Sequence, residues 1–207
     1  MTYFVVRPLQ APYQIYSDMS AWDAKVPDID RQVHISEIWK KGTGLLNPLE
    51  MPDFLQLERP RKSLPEVFFS DNGILICSGK AKRILEEFNP GLHQFISIRV
   101  ILKSGQDAPG EHFILNVHHT LDTIIDEKTK SDSIMVTLPD DPSRHLMSLR
   151  LSAEHSGGVG VDKSKLTSAH LWREKAYRKI FMMSDALNKR LSEAGIRFLK
   201  AIKAQEY

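Results

Sequence analysis

The residues with the most chemical potential are His118-His119-Thr120-Leu121-Asp122. Adjacent imidazoles beside a carboxylate are the components of a metal site or a general base. The double-histidine acyltransferase pattern, however, places three residues before the acid and a glycine after it; here there are two, followed by Thr123. On a strand, His118 and His119 point to opposite faces, so one ion cannot take both without a bulge. No Cys or His at ligand spacing completes a zinc site, and the expected role is a strand end entering a turn. A second tempting stretch, Gly157 to Ser164, follows the phosphate-loop pattern except at Asp162, which stands where a glycine must let amides curl around phosphate. A carboxylate there repels the ligand, so this reads as a glycine-rich turn leading into a strand. Cys77, the only cysteine, sits in an apolar run and reads as a small core hydrophobe. No catalytic residue, metal ligand or cofactor site is assigned.

Charge offers a different kind of chemistry. Residues 1–160 hold 17 Lys and Arg against 21 Asp and Glu, whereas residues 161–203 hold 11 against 4, within a chain of net charge +2. The basic third, with Lys163, Lys165, Arg173, Lys175, Arg178 and Lys179, is either a solvated face or a site for nucleic acid or an acidic partner. No aromatic ladder of the kind single-strand binders use accompanies it. Near the other end, Asp18, Asp23, Asp28, Asp30 and Glu37 cluster around Trp22 and Trp39. Acids beside large aromatics are the ingredients of a face that meets a basic protein, with the tryptophans as anchors; an ordinary exposed loop is the plainer reading.

The elements that must position these residues follow from pattern. Ile74 to Ser78 and Ile180 to Ser184 are two copies of one arrangement: an apolar strand, a serine helix cap, an amphipathic helix, a glycine stop and a further strand. In the first copy Ala81, Ile84, Leu85 and Phe88 fall on one helical face. In the second, Leu187 and Leu191 face inward, and Gly195 suits the left-handed position after the last turn. Strands are also expected over 2–7, 95–102, 113–117, 134–138 and, more weakly, 145–151. Residues 8–30 read as irregular, and the Pro- and Gly-rich stretch 40–65 as an arm wrapping the surface. The expected fold is α+β, with a mixed or mainly antiparallel sheet, two strand–helix–strand units whose helices pair on one face, and an irregular N-terminal arm. Residues 1–63 form the N-terminal region and 64–207 the α+β domain.

Bulk properties set the frame. The chain has 207 residues, 42% hydrophobic and 26% charged, which suits a soluble globular protein. No basic lead with an apolar run opens it, and no run approaches the ~20 residues of a membrane span. With a single cysteine this points to a reducing compartment, and the expected location is the cytoplasm.

From residue 66 onward the order of elements resembles the eleventh numbered immunity family of bacterial polymorphic toxin systems. The resemblance rests on Ile76-Cys77-Ser78; Ile114-Leu115-Asn116-Val117 with Leu121-Asp122; Val161-Asp162-Lys163-Ser164; His170-Leu171-Trp172-Arg173; and Phe181-Met182-Met183-Ser184-Asp185-Ala186-Leu187 through Gly195-Ile196-Arg197-Phe198. It departs in the last turn, where the family often carries a second glycine and this chain has Ile196-Arg197. The resemblance implies a cytoplasmic immunity protein, an antitoxin of bacterial competition and type VI secretion. Such a protein binds and neutralises a cognate secreted toxin, here of nuclease type, with no chemistry and no cofactor of its own. The N-terminal part, least like the family, is where partner choice is expected, on Asp18, Trp22, Asp23, Asp28, Asp30, Glu37 and Trp39. Two other classes stand beside this reading: a nucleic-acid-binding or regulatory protein using the basic third, and a metal-dependent enzyme at His118 and His119.

Overall fold

The computed structural model describes residues 3–7, 14–15, 17–18, 20–70, 72–129, 132–138, 141–150, 158–175, 177–178, 180–198 and 200–207. The fold is α+β, with mixed sheets. The larger sheet has seven strands in the order Gln14–Ile15, Val67–Ser70, Leu75–Ser78, His112–Asn116, Gln94–Ile101, Phe54–Leu57 and Ser17–Asp18. A five-stranded sheet runs Lys200–Lys203, Tyr3–Arg7, Phe181–Ser184, Leu171–Glu174 and Thr120–Leu121. Four helices accompany them: α1 (Ser20–Lys25), α2 (Ile29–Lys41), α3 (Gly79–Phe88) and α4 (Asp185–Glu193).

The seven-stranded sheet is covered on both faces, which explains the continuous apolar runs of its central strands. Successive residues alternate between two cores. Val67, Phe69, Leu75, Cys77 and Leu115 join the core beneath α3 and α4, while Phe68, Ile76 and Ile114 join the core beneath α1 and α2. Gln94–Ile101 is covered on one face only. Ile96, Ile98 and Val100 are buried, Ser97 and Arg99 are exposed, and the period-2 pattern records this directly.

The two copies occupy equivalent places. Leu75–Ser78 lies between antiparallel neighbours Val67–Ser70 and His112–Asn116; Phe181–Ser184 lies between antiparallel neighbours Tyr3–Arg7 and Leu171–Glu174. Each strand ends in a serine whose hydroxyl accepts an amide of the following helix, Ala81 N at 3.1 Å from Ser78 and Leu187 N at 3.2 Å from Ser184. Each hydroxyl also has an anchor on a neighbouring segment: Ser78 donates to Glu66, and Ser184 lies 2.7 Å from His170 Nδ1. α3 and α4 pair in one core through Ala81, Ile84, Leu85, Leu187 and Leu191. Gly195 takes φ 73°, the left-handed turn its position requires. A third core on the far face of the five-stranded sheet gathers Trp172, Met182, Ile202 and Val161.

The N-terminal region is more regular than its composition suggests. Residues 29–41, for which no element is expected, form α2. Asp28 caps it, accepting from Arg31 N at 3.1 Å, and Gly42 closes it at φ 61°. Inside the Pro-rich stretch, Phe54–Leu57 enters the large sheet as a strand parallel to Gln94–Ile101, with Leu55 and Leu57 buried. Residues before 63 thus supply strands to both sheets and most of the layer covering one face.

Candidate functional site

The sequence candidates separate by environment. His118 and His119 lie just beyond the strand His112–Asn116, half-buried, in the link to Thr120–Leu121. His93 is buried beside them, its ring 6.5 Å from that of His118. Burial, with His118 and His119 adding to it, pushes the pKa of His93 down to about 3, and burial lowers that of His119 as well. These are neutral imidazoles packed as structure. Among the described residues no group of three or more His, Cys, Asp or Glu converges as a metal site would.

The glycine-rich stretch also has a structural explanation. Gly157 lies outside the described residues. Gly160 sits where an added Cβ would come within 2.4 Å of Lys128 Cβ, so close packing demands glycine there. Asp162 turns onto its own loop, accepting from Ser164 N at 2.9 Å and Ser164 Oγ at 2.6 Å. Cys77 is fully buried, and burial raises its thiol pKa far above the ordinary value.

Strand Leu171–Glu174 carries two buried charges pointing to opposite faces. Glu174 accepts from Thr123 N at 2.9 Å and Thr123 Oγ1 at 2.7 Å, and burial raises its carboxyl pKa. Arg173 meets no carboxylate. Nε donates to Val117 O at 2.6 Å, Nη1 to Lys40 O and Arg178 O at 2.8 Å each, and Nη2 to Trp39 O at 2.7 Å. Its guanidinium lies 4.3 Å from the centre of the Phe181 ring. Burial lowers its pKa to about 9, which leaves it charged at neutral pH. This corrects the reading of Arg173 as part of a solvated or nucleic-acid-binding face. Lys163, Lys165 and Lys175 are exposed, and Lys179 lies outside the described residues.

The acidic segment is the remaining candidate. Trp22 and Trp39 point inward: they are 6% and 5% exposed, with ring centroids 5.1 Å apart, and Trp22 Nε1 donates to Glu50 O at 2.7 Å. Neither serves as an exposed anchor, because both are part of the α1–α2 core. Glu37 pairs with Lys41 one turn along α2. Asp18 lies in the strand Ser17–Asp18, and its side chain is outside the described part of the molecule. Asp23, Asp28 and Asp30 are exposed around the N-terminus of α2 and show no ion pair among the described residues. The nearby cations are engaged elsewhere, Lys25 with Asp53 at 2.7 Å and Arg31 with Glu50 through two short contacts.

Between these acids lie residues that sequence reasoning missed. Ile29 is 72% exposed and Val33 56% exposed, one turn apart on the outer face of α2. Leu49 is 80% exposed, next to Glu50, whose carboxylate grips Arg31 and so holds this loop beside the first turns of α2. Leu45, also in this segment, is 64% exposed. Of the large apolar side chains exposed among the described residues, only Tyr207 lies elsewhere. The signal that could have found them was apolar residues at 29 and 33 out of phase with the inward stripe Ile35, Ile38 and Trp39.

The family described as Immunity protein family (Imm11) matches residues 10–206, nearly the whole chain. The chain belongs to this immunity protein family. No curated protein matches it. The match extends the likeness seen from residue 66 into the N-terminal region that carries α2. Family membership supports an immunity role, in which a cognate toxin is the binding partner. No described helix is long and apolar enough to cross a membrane.

Proposed function

We infer that the protein binds a cognate toxin of nuclease type in the cytoplasm and blocks it, and that the outer face of α2 with the following loop is the contact surface. The observation that carries this reading is the coincidence of Ile29, Val33 and Leu49 with Asp23, Asp28 and Asp30 in a protein of an immunity family. Exposed apolar side chains concentrated in one segment favour a protein partner. Surrounding acids favour a basic one, and a surface that holds nucleic-acid phosphates is basic. An inhibitor of about 1,600 Å² interface would cover such a surface with an apolar centre and a charged rim. No catalytic step belongs to this reading. Co-expression with the toxin encoded beside it is the test. A stable complex that protects cells, and that dissociates more readily at high salt, is the expected result. Retention of the isolated protein on nucleic acid, with no complex formed, would favour the basic third instead.

A further inference from the structure

The C-terminal end of α2 and the loop behind it are attached in an unusual way. No strand ladder runs through residues 42–46. Instead, three side chains of the two sheets reach across and bond to main-chain atoms alone. Arg173 takes the carbonyls of Trp39 and Lys40 at 2.7 and 2.8 Å. Asn116 Nδ2 donates to Gly44 O at 2.9 Å. Gln94 bonds Leu46 in both directions, donating from Nε2 to Leu46 O at 2.7 Å and accepting Leu46 N on Oε1 at 2.9 Å. Asn116 Nδ2 also donates to Gln94 Oε1 at 3.2 Å, which orients that amide.

The physical logic is that of a helix cap supplied from a distance. The last carbonyls of a helix have no partner within it, and they form the negative end of its dipole. Arg173, 134 positions from Trp39 in the chain, satisfies two of them and places a positive charge at that end. This explains how a guanidinium can be buried without a carboxylate. Gly42 leaves the opening: a Cβ there would lie 2.4 Å from Val117 O and 2.5 Å from Arg173 Cδ.

We propose that Gln94, Asn116 and Arg173 are positioning residues, a clamp that fixes the path of residues 39–46 and so aims the outer face of α2. Because these contacts with 39–46 read carbonyls and one amide, and no side chain of that segment, the clamp is indifferent to what the outer face carries. The outer face is therefore a replaceable recognition surface on a fixed mount. The clamp stands on the geometry alone; its consequence for partner choice rests on the proposed toxin-binding role of α2.

Hydrogen exchange on the full-length protein tests it. Losing hydrogen bonds to a charged group is expected to speed exchange of amides 35–46 by about tenfold or more in Arg173→Ala, with α3 and α4 unchanged. Millimolar guanidinium ion should restore protection in this variant, and ethylammonium, which lacks the planar fork, should not. Gln94→Ala, at a half-buried site, provides the milder case, with acceleration confined to residues 42–46. Replacing Ile29, Asp30, Val33 and His34 together by serine should leave exchange at 39–46 unchanged. The clamp is overturned if both single variants leave 35–46 unchanged, if α3 and α4 accelerate as much as α2, if guanidinium does not rescue, or if the serine replacement loosens 39–46. If the clamp variants behave as expected but the serine replacement still binds the neighbouring toxin at full affinity, the clamp stands and the proposed contact face fails.

Discussion

α3 and α4 are held by their side chains, whereas the end of α2 is held by its backbone. The first two bury Ala81, Ile84, Leu85, Leu187 and Leu191 against each other and against both sheets. α2 buries Ile35 and Trp39, leaves Ile29 and Val33 in water, and has its C-terminal carbonyls gripped by Arg173. Apolar packing constrains residue identity at each position, because cores are close-packed and sensitive to a single methylene. A carbonyl clamp constrains only the path of the chain. One region is therefore a scaffold with little freedom to vary, and the other presents a surface that can change without altering the fold.

That contrast can be broken most forcefully in the scaffold. Leu85→Ala empties a fully buried site between α3 and the sheet and should cost about 3 kcal/mol or more of global stability. Urea unfolding should show a lower midpoint with an unchanged slope. Acid should weaken the seam near α2. His93 stays neutral in the fold down to about pH 3, while in the unfolded chain it takes a proton below about pH 6.5. Its contribution is thus fully present above about pH 6.5 and is lost at about 1 kcal/mol per pH unit as pH falls towards 3. His93→Gln should flatten that limb of the stability profile measured by denaturant titration. The cap serines come next. Ser78→Ala and Ser184→Ala should each cost about 1 kcal/mol, and similar values would confirm that the two copies use the hydroxyl alike. The smallest effect is expected at the surface: Ile29→Ser with Val33→Ser should shift the thermal midpoint by no more than an exposed pair allows, about 0.5 kcal/mol each.

Legibility in the sequence follows the same division. The strands Leu75–Ser78 and Phe181–Ser184, their serine caps and helices were readable because local chemistry and periodicity agreed with the tertiary environment. The strand Gln94–Ile101 was readable because one face is buried and the other wet. α2 was not, because Ile29 and Val33 interrupt the polar face and blur the 3.6-residue period, although Asp28 and Gly42 mark its ends. Phe54–Leu57 was hidden by its four-residue length and the prolines on either side, Pro52 and Pro60. Trp22 and Trp39 invited a surface role because acids surround them in sequence, but the folded chain turns the rings inward and the acids outward. Arg173 could not be placed at all, since its main partners are carbonyls more than 50 residues away, and a carbonyl leaves no mark in sequence.

The binding face is tested most directly by calorimetric titration of the purified neighbouring toxin into wild-type protein and into a variant carrying Asp23→Lys, Asp30→Lys and Val33→Ser. None of these residues caps a helix or fills a core. Affinity should fall by about 100-fold or more, roughly 2.7 kcal/mol, while the unfolding midpoint stays within a degree or so of wild type. Unchanged affinity in a properly folded variant would mean that the toxin is met elsewhere on the molecule.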